Sequence, residues 1–429
     1  MPWESRGKGE IIMDLKSNYC KEGLTKDAFR RELHEIDGST KMIELTPLNT
    51  KFMTLSGNSV YHDAISFMAL DSETIDAIKH HKATKRILIN RKVISQWQME
   101  ELGDVNFMIL NDGKAYFVDA PAVRWLLHQL GIQGASAPSF ARDLFITEVF
   151  NERKAKEPIR ALYREKRYCT DLATNECVVI RKIINFVSPQ YIYQPLSIMS
   201  KILAEVTKKK GAQLVGWKTT IRDAQFRVEF PALGEEYANA YKLSKVFIPG
   251  IVVRLSDGGD TGYSACQTLR LSGCSEYTIV NKDLAAVFAS HRKMDTANLA
   301  AQTSALADTL RETLTQLDGK NIPFREDGIN ARNKMASILN AYLRLCQARG
   351  VISDRLKQEA VNEMMRRVNS GEVNTVADVI GLILSIPDIL KGRINTDVQM
   401  DKLRVVCGRS VMLSWDEVVR NTENVSAHH

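Results

Sequence analysis

The chain has 429 residues, too many for one simple core, so two or three domains are expected. Its 44% hydrophobic and 25% charged content is that of an ordinary folded chain and excludes one disordered throughout. The net charge of +7, from 58 Lys and Arg against 51 Asp and Glu, is far from a histone-like tail and leans toward acidic partners only if the cations cluster.

Residues 1–20 are polar and aperiodic and read as a flexible leader without the apolar run of a signal peptide. A mixed α/β N-terminal domain is expected over 21–160. It opens with a helix over Thr25–Ile36 stopped by Asp37-Gly38-Ser39, and short strands and turns follow in the stretch from Met42 to Gly57. Ser72 suits an N-cap for a helix through His81, Lys85–Asn90 reads as a strand and Ser95–Leu102 as a helix. Val105–Leu110 and Lys114–Asp119 around Asn111-Asp112-Gly113 predict a hairpin. Asp119 can cap a helix carrying Val123, Leu126, Leu127 and Leu130, and Ala141–Lys156 reads as another helix.

A central α+β domain with an antiparallel sheet is expected over 161–292. Its strands are predicted at Val178–Val187, Ala212–Thr219, Gln225–Phe230, Val246–Leu255 and Tyr263–Leu271. A helix carries Leu196, Met199, Ile202, Leu203 and Val206. A helical C-terminal region is expected over 293–429. There Leu299, Leu306, Leu310, Leu314 and Leu317 recur near a 3.5-residue spacing, a pattern that packing within the chain or an oligomer seam can use. Asp295 and Ser353 suit N-caps, and the apolar run from Thr375 to Ile386 reads as a buried helix ending at Pro387. It is too short to span a bilayer, which needs about 20 residues. The whole is an α+β protein in three parts.

The central block resembles a phage and plasmid family, the phage/plasmid-like proteins, known as a domain of unknown function. Three segments carry the likeness. They are Val187-Ser188-Pro189-Gln190-Tyr191-Ile192-Tyr193-Gln194-Pro195, then Val252-Val253-Arg254-Leu255-Ser256-Asp257 with Gly262-Tyr263-Ser264, and the basic pair His291-Arg292. It covers roughly residues 180–320. The family's usual Arg-His order, a Cys-Asn step and its N-terminal opening are missing here. The resemblance implies a mobile-element origin and a bacterial cytoplasm, and supplies no catalytic residues.

Three basic segments are candidate nucleic-acid contacts, because clustered cations bind phosphate and release counterions, and interleaved rings can stack bases. The first holds Lys79, Lys82, Lys85 and Arg86, in a run without acids. The second holds Arg160, Arg164, Lys166 and Arg167, with Tyr163 and Tyr168 between charges. The third holds Lys208, Lys209, Lys210, Trp217, Lys218, Arg222 and Arg227. Each also has a plain reading as a solvated helix end, an outer face or a polar turn with its rings in the core.

Chemistry is thinly represented. Ser256–Gly262 lacks a phosphate-loop context and reads as a hairpin closure, although Asp257 and Asp260 suit Mg²⁺. The histidines form no H-E-x-x-H, and Pro387-Asp388 has no following Glu-x-Lys strand. The seven cysteines include no C-x-x-C. Cys169/Cys177 and Cys266/Cys274 can face across hairpins but read as small buried hydrophobes of a reduced cytoplasmic protein. No metal or cofactor is expected. The favoured reading is a non-catalytic, sequence-tolerant binder of single-stranded DNA or RNA, able to self-associate and with no membrane role. The alternatives are a structural or protein-interaction factor and a divalent-metal nuclease or nucleotide enzyme.

Overall fold

The computed structural model describes residues 19–45, 51–55, 105–109, 115–119, 121–122, 125–126, 159–171, 176–257, 262–280, 286–289, 295–317, 337–338, 352–370, 373, 375–394 and 397–413. The helices expected at 72–81, 95–102 and 141–156, and the strand at 85–90, lie outside them, as does His291-Arg292.

Two sheets form the frame. The first joins β1 (Cys20–Gly23), β8 (Gln213–Thr220), β9 (Asp223–Glu229), β10 (Phe247–Ser256), β11 (Tyr263–Leu271) and β12 (Thr278–Ile279) in that order, with β13 (Ala286–Ala289) also paired to β11. Every pairing in it is antiparallel. The second runs β2 (Thr40–Leu45), β6 (Ile159–Asp171), β7 (Glu176–Val187), β5 (Ala115–Val118), β4 (Val105–Ile109) and β3 (Lys51–Leu55). Its β5–β7 pair is parallel, so the antiparallel expectation holds with that exception. Cys169 and Cys177 stand opposite one another in the β6–β7 register.

One face of the first sheet is apolar because its strands alternate. Ala224, Phe226 and Val228 of β9, with Ile251, Val253 and Leu255 of β10, meet α1 (Lys26–Ser39) and α2 (Ile198–Val206) in one core. From α1 come Phe29, Leu33 and Ile36, one helical face. α1 forms where a helix is expected, with Thr25 as its N-cap, but it runs through Asp37-Gly38-Ser39 rather than stopping there. The reason is tertiary. Asp37 accepts from the N–H groups of Leu196 and Ser197 at 2.7 and 2.8 Å and from the Tyr193 hydroxyl at 2.9 Å. That bond set rewards keeping the last turn of α1 intact. The helix α3 (Pro231–Ala240), absent from the sequence reading, covers the start of β10.

The C-terminal helices are α4 (Thr296–Asp308), α5 (Leu310–Thr315), α6 (Asp354–Asn369), α7 (Val376–Leu384), α8 (Ile386–Ile389) and α9 (Asp397–Gly408); α4 joins the α1–α2 core, α5 packs on β10, α7 packs on β11 beside Phe247 and Leu271, and α9 packs on β12. Asp295, Ser353 and Thr375 supply the N-caps. The leucine series is packed within the chain: Leu299, Leu306 and Leu310 enter the α1–α2 core, and Leu314 and Leu317 enter the C-terminal core. α7 is buried all round, as its composition predicts. Pro387 does not end it but sits inside α8.

The expected boundary at 160/161 falls within β6, and the chain crosses between the sheets more than once. Residues 20–39 join the first sheet, 40–187 supply the second, and 198 onward return to the first. Strand pairing is non-local, so composition along the chain does not reveal it. Where the sheets meet, Leu162, Ile184 and Ile221 pack together. Beside them lie two buried ionic links: Arg164 with Asp257 at 2.7 Å, and Asp119 with Lys182 at 3.4 Å and Arg222 at 3.1 Å.

Candidate functional site

Among the described residues, the candidate nucleic-acid contacts do not form one face. Lys79, Lys82, Lys85 and Arg86 lie outside the described residues. Arg160 on β6 pairs with Glu44 at 3.7 Å, and Lys166 and Arg167 stand on the same strand opposite Ile180 and Val179. Arg164 is a correction: it is fully buried against Asp257 and meets no solvent. Arg222 is likewise turned inward, where it holds Asp119 and donates to the Ile184 carbonyl at 2.5 Å. Lys208 pairs with Glu205 and Lys209 with Asp308, while Lys210 is exposed on the same turn. That turn ends α2, on the opposite side of the first sheet from Arg227.

Trp217 is a second correction. It is 4% exposed, packs 5.3 Å from the Phe29 ring and donates Nε1–H to the Thr25 carbonyl at 2.9 Å. It stands directly opposite Phe226 in the register, so it shares that residue's core face and offers no stacking surface. Gly23 is required beside it, because a Cβ there would come within 2.4 Å of the indole. Asp257 is a third correction, this time to the metal reading: it is sealed between the sheets, and among the described residues no cluster of metal-ligating side chains occurs. The hairpin reading of its loop agrees with the antiparallel β10–β11 pair.

Lys218 and Arg227 do converge, on a cleft of about 700 Å³ over the polar face of the first sheet. The same alternation that sends Phe226 to the core turns Asp223, Gln225 and Arg227 to this face. β10 adds Arg254, the segment before β12 adds Glu276 and Tyr277, and the opposite wall is α9 with the turn at Lys391.

A chain of alternating charge crosses the cleft. Arg254 is held by Asp223 and reaches Asp401 at 3.0 Å. Asp401 also takes Arg404 at 2.7 Å, Arg404 takes Glu276 at 2.6 Å, and Glu276 takes Lys391 at 3.0 Å. Beneath it the Tyr277 ring centroid lies 4.3 Å from the Arg404 guanidinium carbon and 4.7 Å from that of Arg227, within cation–π range. The Tyr277 hydroxyl accepts from Gln225 at 3.2 Å.

Burial pushes the Tyr277 hydroxyl above its ordinary value. Burial also opposes the charge on Glu276, yet Arg404 and Lys391 outweigh it and hold that carboxyl below the usual range. Asp388 fixes the segment, accepting from Ser275 N–H at 2.8 Å, Ser275 hydroxyl at 2.7 Å and Glu276 N–H at 3.2 Å. Its carboxyl, although partly buried, is lowered by those bonds.

The sequence reading missed most of this site. Arg254 had a signal, the one charged residue in the run from Phe247 to Ser256. Asp401, Arg404 and Lys391 had none, being at least 130 positions away from β10, on α9 and on the turn after α8. The resemblance segments do touch, the Tyr191 hydroxyl donating to the Asp257 carbonyl at 2.6 Å. No protein family matches the chain, and no match is found among curated proteins or solved structures.

Proposed function

We propose that the protein is a non-catalytic, sequence-tolerant nucleic-acid-binding protein that receives backbone phosphate in this cleft. One observation carries the reading: Lys218, Arg227, Arg254, Lys391 and Arg404, from three strands and the C-terminal segment, line a single concave surface. Guanidinium presents the same planar fork to phosphate as to carboxylate, so a phosphate can exchange with Asp401 or Asp223. Trp217 and Tyr277, the rings among the residues lining the cleft, are interior, which favours backbone contacts over base readout. The phage or plasmid origin implied by the central motifs belongs to the same proposal.

Filter binding with single-stranded DNA, RNA and duplex at 50 and 200 mM salt tests it. Four phosphate contacts on a single strand predict a loss of about 50-fold across that range. Lys391→Glu, at a side chain 57% exposed, weakens binding equally for unrelated sequences and lowers the salt slope by about one contact. Absence of binding at 50 mM salt, or affinity indifferent to salt, refutes the reading.

A further inference from the structure

The size and lining of the cleft say more about what enters it. Its volume of about 700 Å³ falls among small-molecule sites, which span roughly 300–1,000 Å³. It is bounded by the edge strand at Gly23 and Leu24 on one side and by the Lys391–Gly392 turn and α9 on the other. A long strand lays down phosphate after phosphate and suits a groove of one sign. Here four carboxylates, Glu22, Asp223, Glu276 and Asp401, stand among the five cations.

Carboxylates repel phosphates but accept strongly from hydroxyls. Asp401 is suited to that task. It is 27% exposed and sits between Arg254 and Arg404, and each of its oxygens keeps an acceptor site beyond the guanidinium it already holds. Lys391, at 57% exposure, is the most exposed of the five cations, and a phosphate reaches it without breaking the Arg404–Glu276 pair beneath, whose side chains are 14% and 11% exposed. The lining therefore matches a ligand with one anionic end and a hydroxyl-rich body.

We infer that the cleft holds one phosphorylated ribose unit, either a free ribonucleotide or sugar phosphate or the end of an RNA strand, with the phosphate on Lys391 and a ribose hydroxyl on Asp401. The inference rests on the nucleic-acid reading above and narrows it. The base takes no part, because Arg227 and Arg404 already occupy the Tyr277 ring.

Calorimetric titration of the full chain decides it, with AMP, UMP, 2′-deoxy-AMP, ribose 5-phosphate, adenosine and inorganic phosphate, and with linear 5′-phosphorylated and circular RNA of one sequence. AMP and UMP are expected to bind alike, adenosine not at all, and 2′-deoxy-AMP about tenfold more weakly, the loss of one hydrogen bond to a charged acceptor. Ribose 5-phosphate matching AMP identifies the phosphosugar as the recognised unit. AMP displacing linear RNA, with circular RNA binding at least tenfold more weakly, identifies the strand end. Asp401→Asn removes the preference for AMP over 2′-deoxy-AMP, and Lys391→Ala weakens both equally while leaving the melting temperature unchanged.

If both RNAs bind equally and neither AMP nor ribose 5-phosphate displaces them, this inference is overturned while the nucleic-acid reading stands. Equal affinity for AMP and its deoxy form also overturns it. If AMP binds as described and no polymer does, the inference stands for the free nucleotide and the polymer reading falls. If nothing binds, both fall.

Discussion

Removing Arg164 should damage the fold far more than removing any exposed arginine, and by an amount that depends on pH. Its guanidinium and the Asp257 carboxylate are both fully buried, 2.7 Å apart, at the junction of the two sheets. Taking away one member of such a pair leaves an uncompensated charge and costs about 3–5 kcal/mol. Burial pushes the Asp257 carboxyl up to about 6 from 3.8, against the downward pull of Arg164. An acid raised in the fold stabilises it while protonated. That contribution is complete below the unfolded value near 3.8 and is lost as pH rises through about 6.

In Arg164→Met the lowering influence is gone, so Asp257 protonates at still higher pH. The deficit of the variant is then largest near pH 7.5 and narrows toward pH 5. The double variant Arg164→Met, Asp257→Leu should recover to within about 1 kcal/mol of the parent, because apolar replacement of a buried pair is often neutral. Chemical denaturation at both pH values, followed by circular dichroism, measures all of this. A single variant that costs under about 1 kcal/mol, or a deficit identical at pH 5 and 7.5, refutes the argument.

Two further substitutions probe how the layers are joined. Asp37→Ala removes acceptors for Leu196 N–H, Ser197 N–H and the Tyr193 hydroxyl, and should cost about 1–2 kcal/mol, with hydrogen exchange speeding first at the start of α2. Gly408→Ala tests close packing through its sign: alanine in a helix normally gains about 0.5–1 kcal/mol. Here its Cβ would lie 2.1 Å from the Ile279 carbonyl oxygen, a backbone atom that cannot swing aside, so thermal unfolding should move down. A rise in melting temperature would show that α9 does not press on β12.

The strands β9, β10 and β11 were legible, and so were the caps Asp295 and Ser353, because each depends on side chains within a few positions. The cleft was only partly legible. Lys218 and Arg227 stand in it, but Lys208 and Lys209, read as their neighbours, end up on the far side of the sheet with their own carboxylates. Arg164 looked like a phosphate contact because sequence counts charge without knowing depth.

Local chemistry alone thus determined the strands β8 to β11, α2 and the capped helices α4 and α6, since period and capping act over one or two turns of chain. Tertiary structure decided the rest: that residues 20–39 cross to the first sheet, that Arg164 finds Asp257 ninety-three positions away, and that Arg254 meets Asp401 one hundred and forty-seven positions away. Those pairings depend on how the sheets and the C-terminal helices dock. The energy that selects them arises only when water is excluded from between distant surfaces.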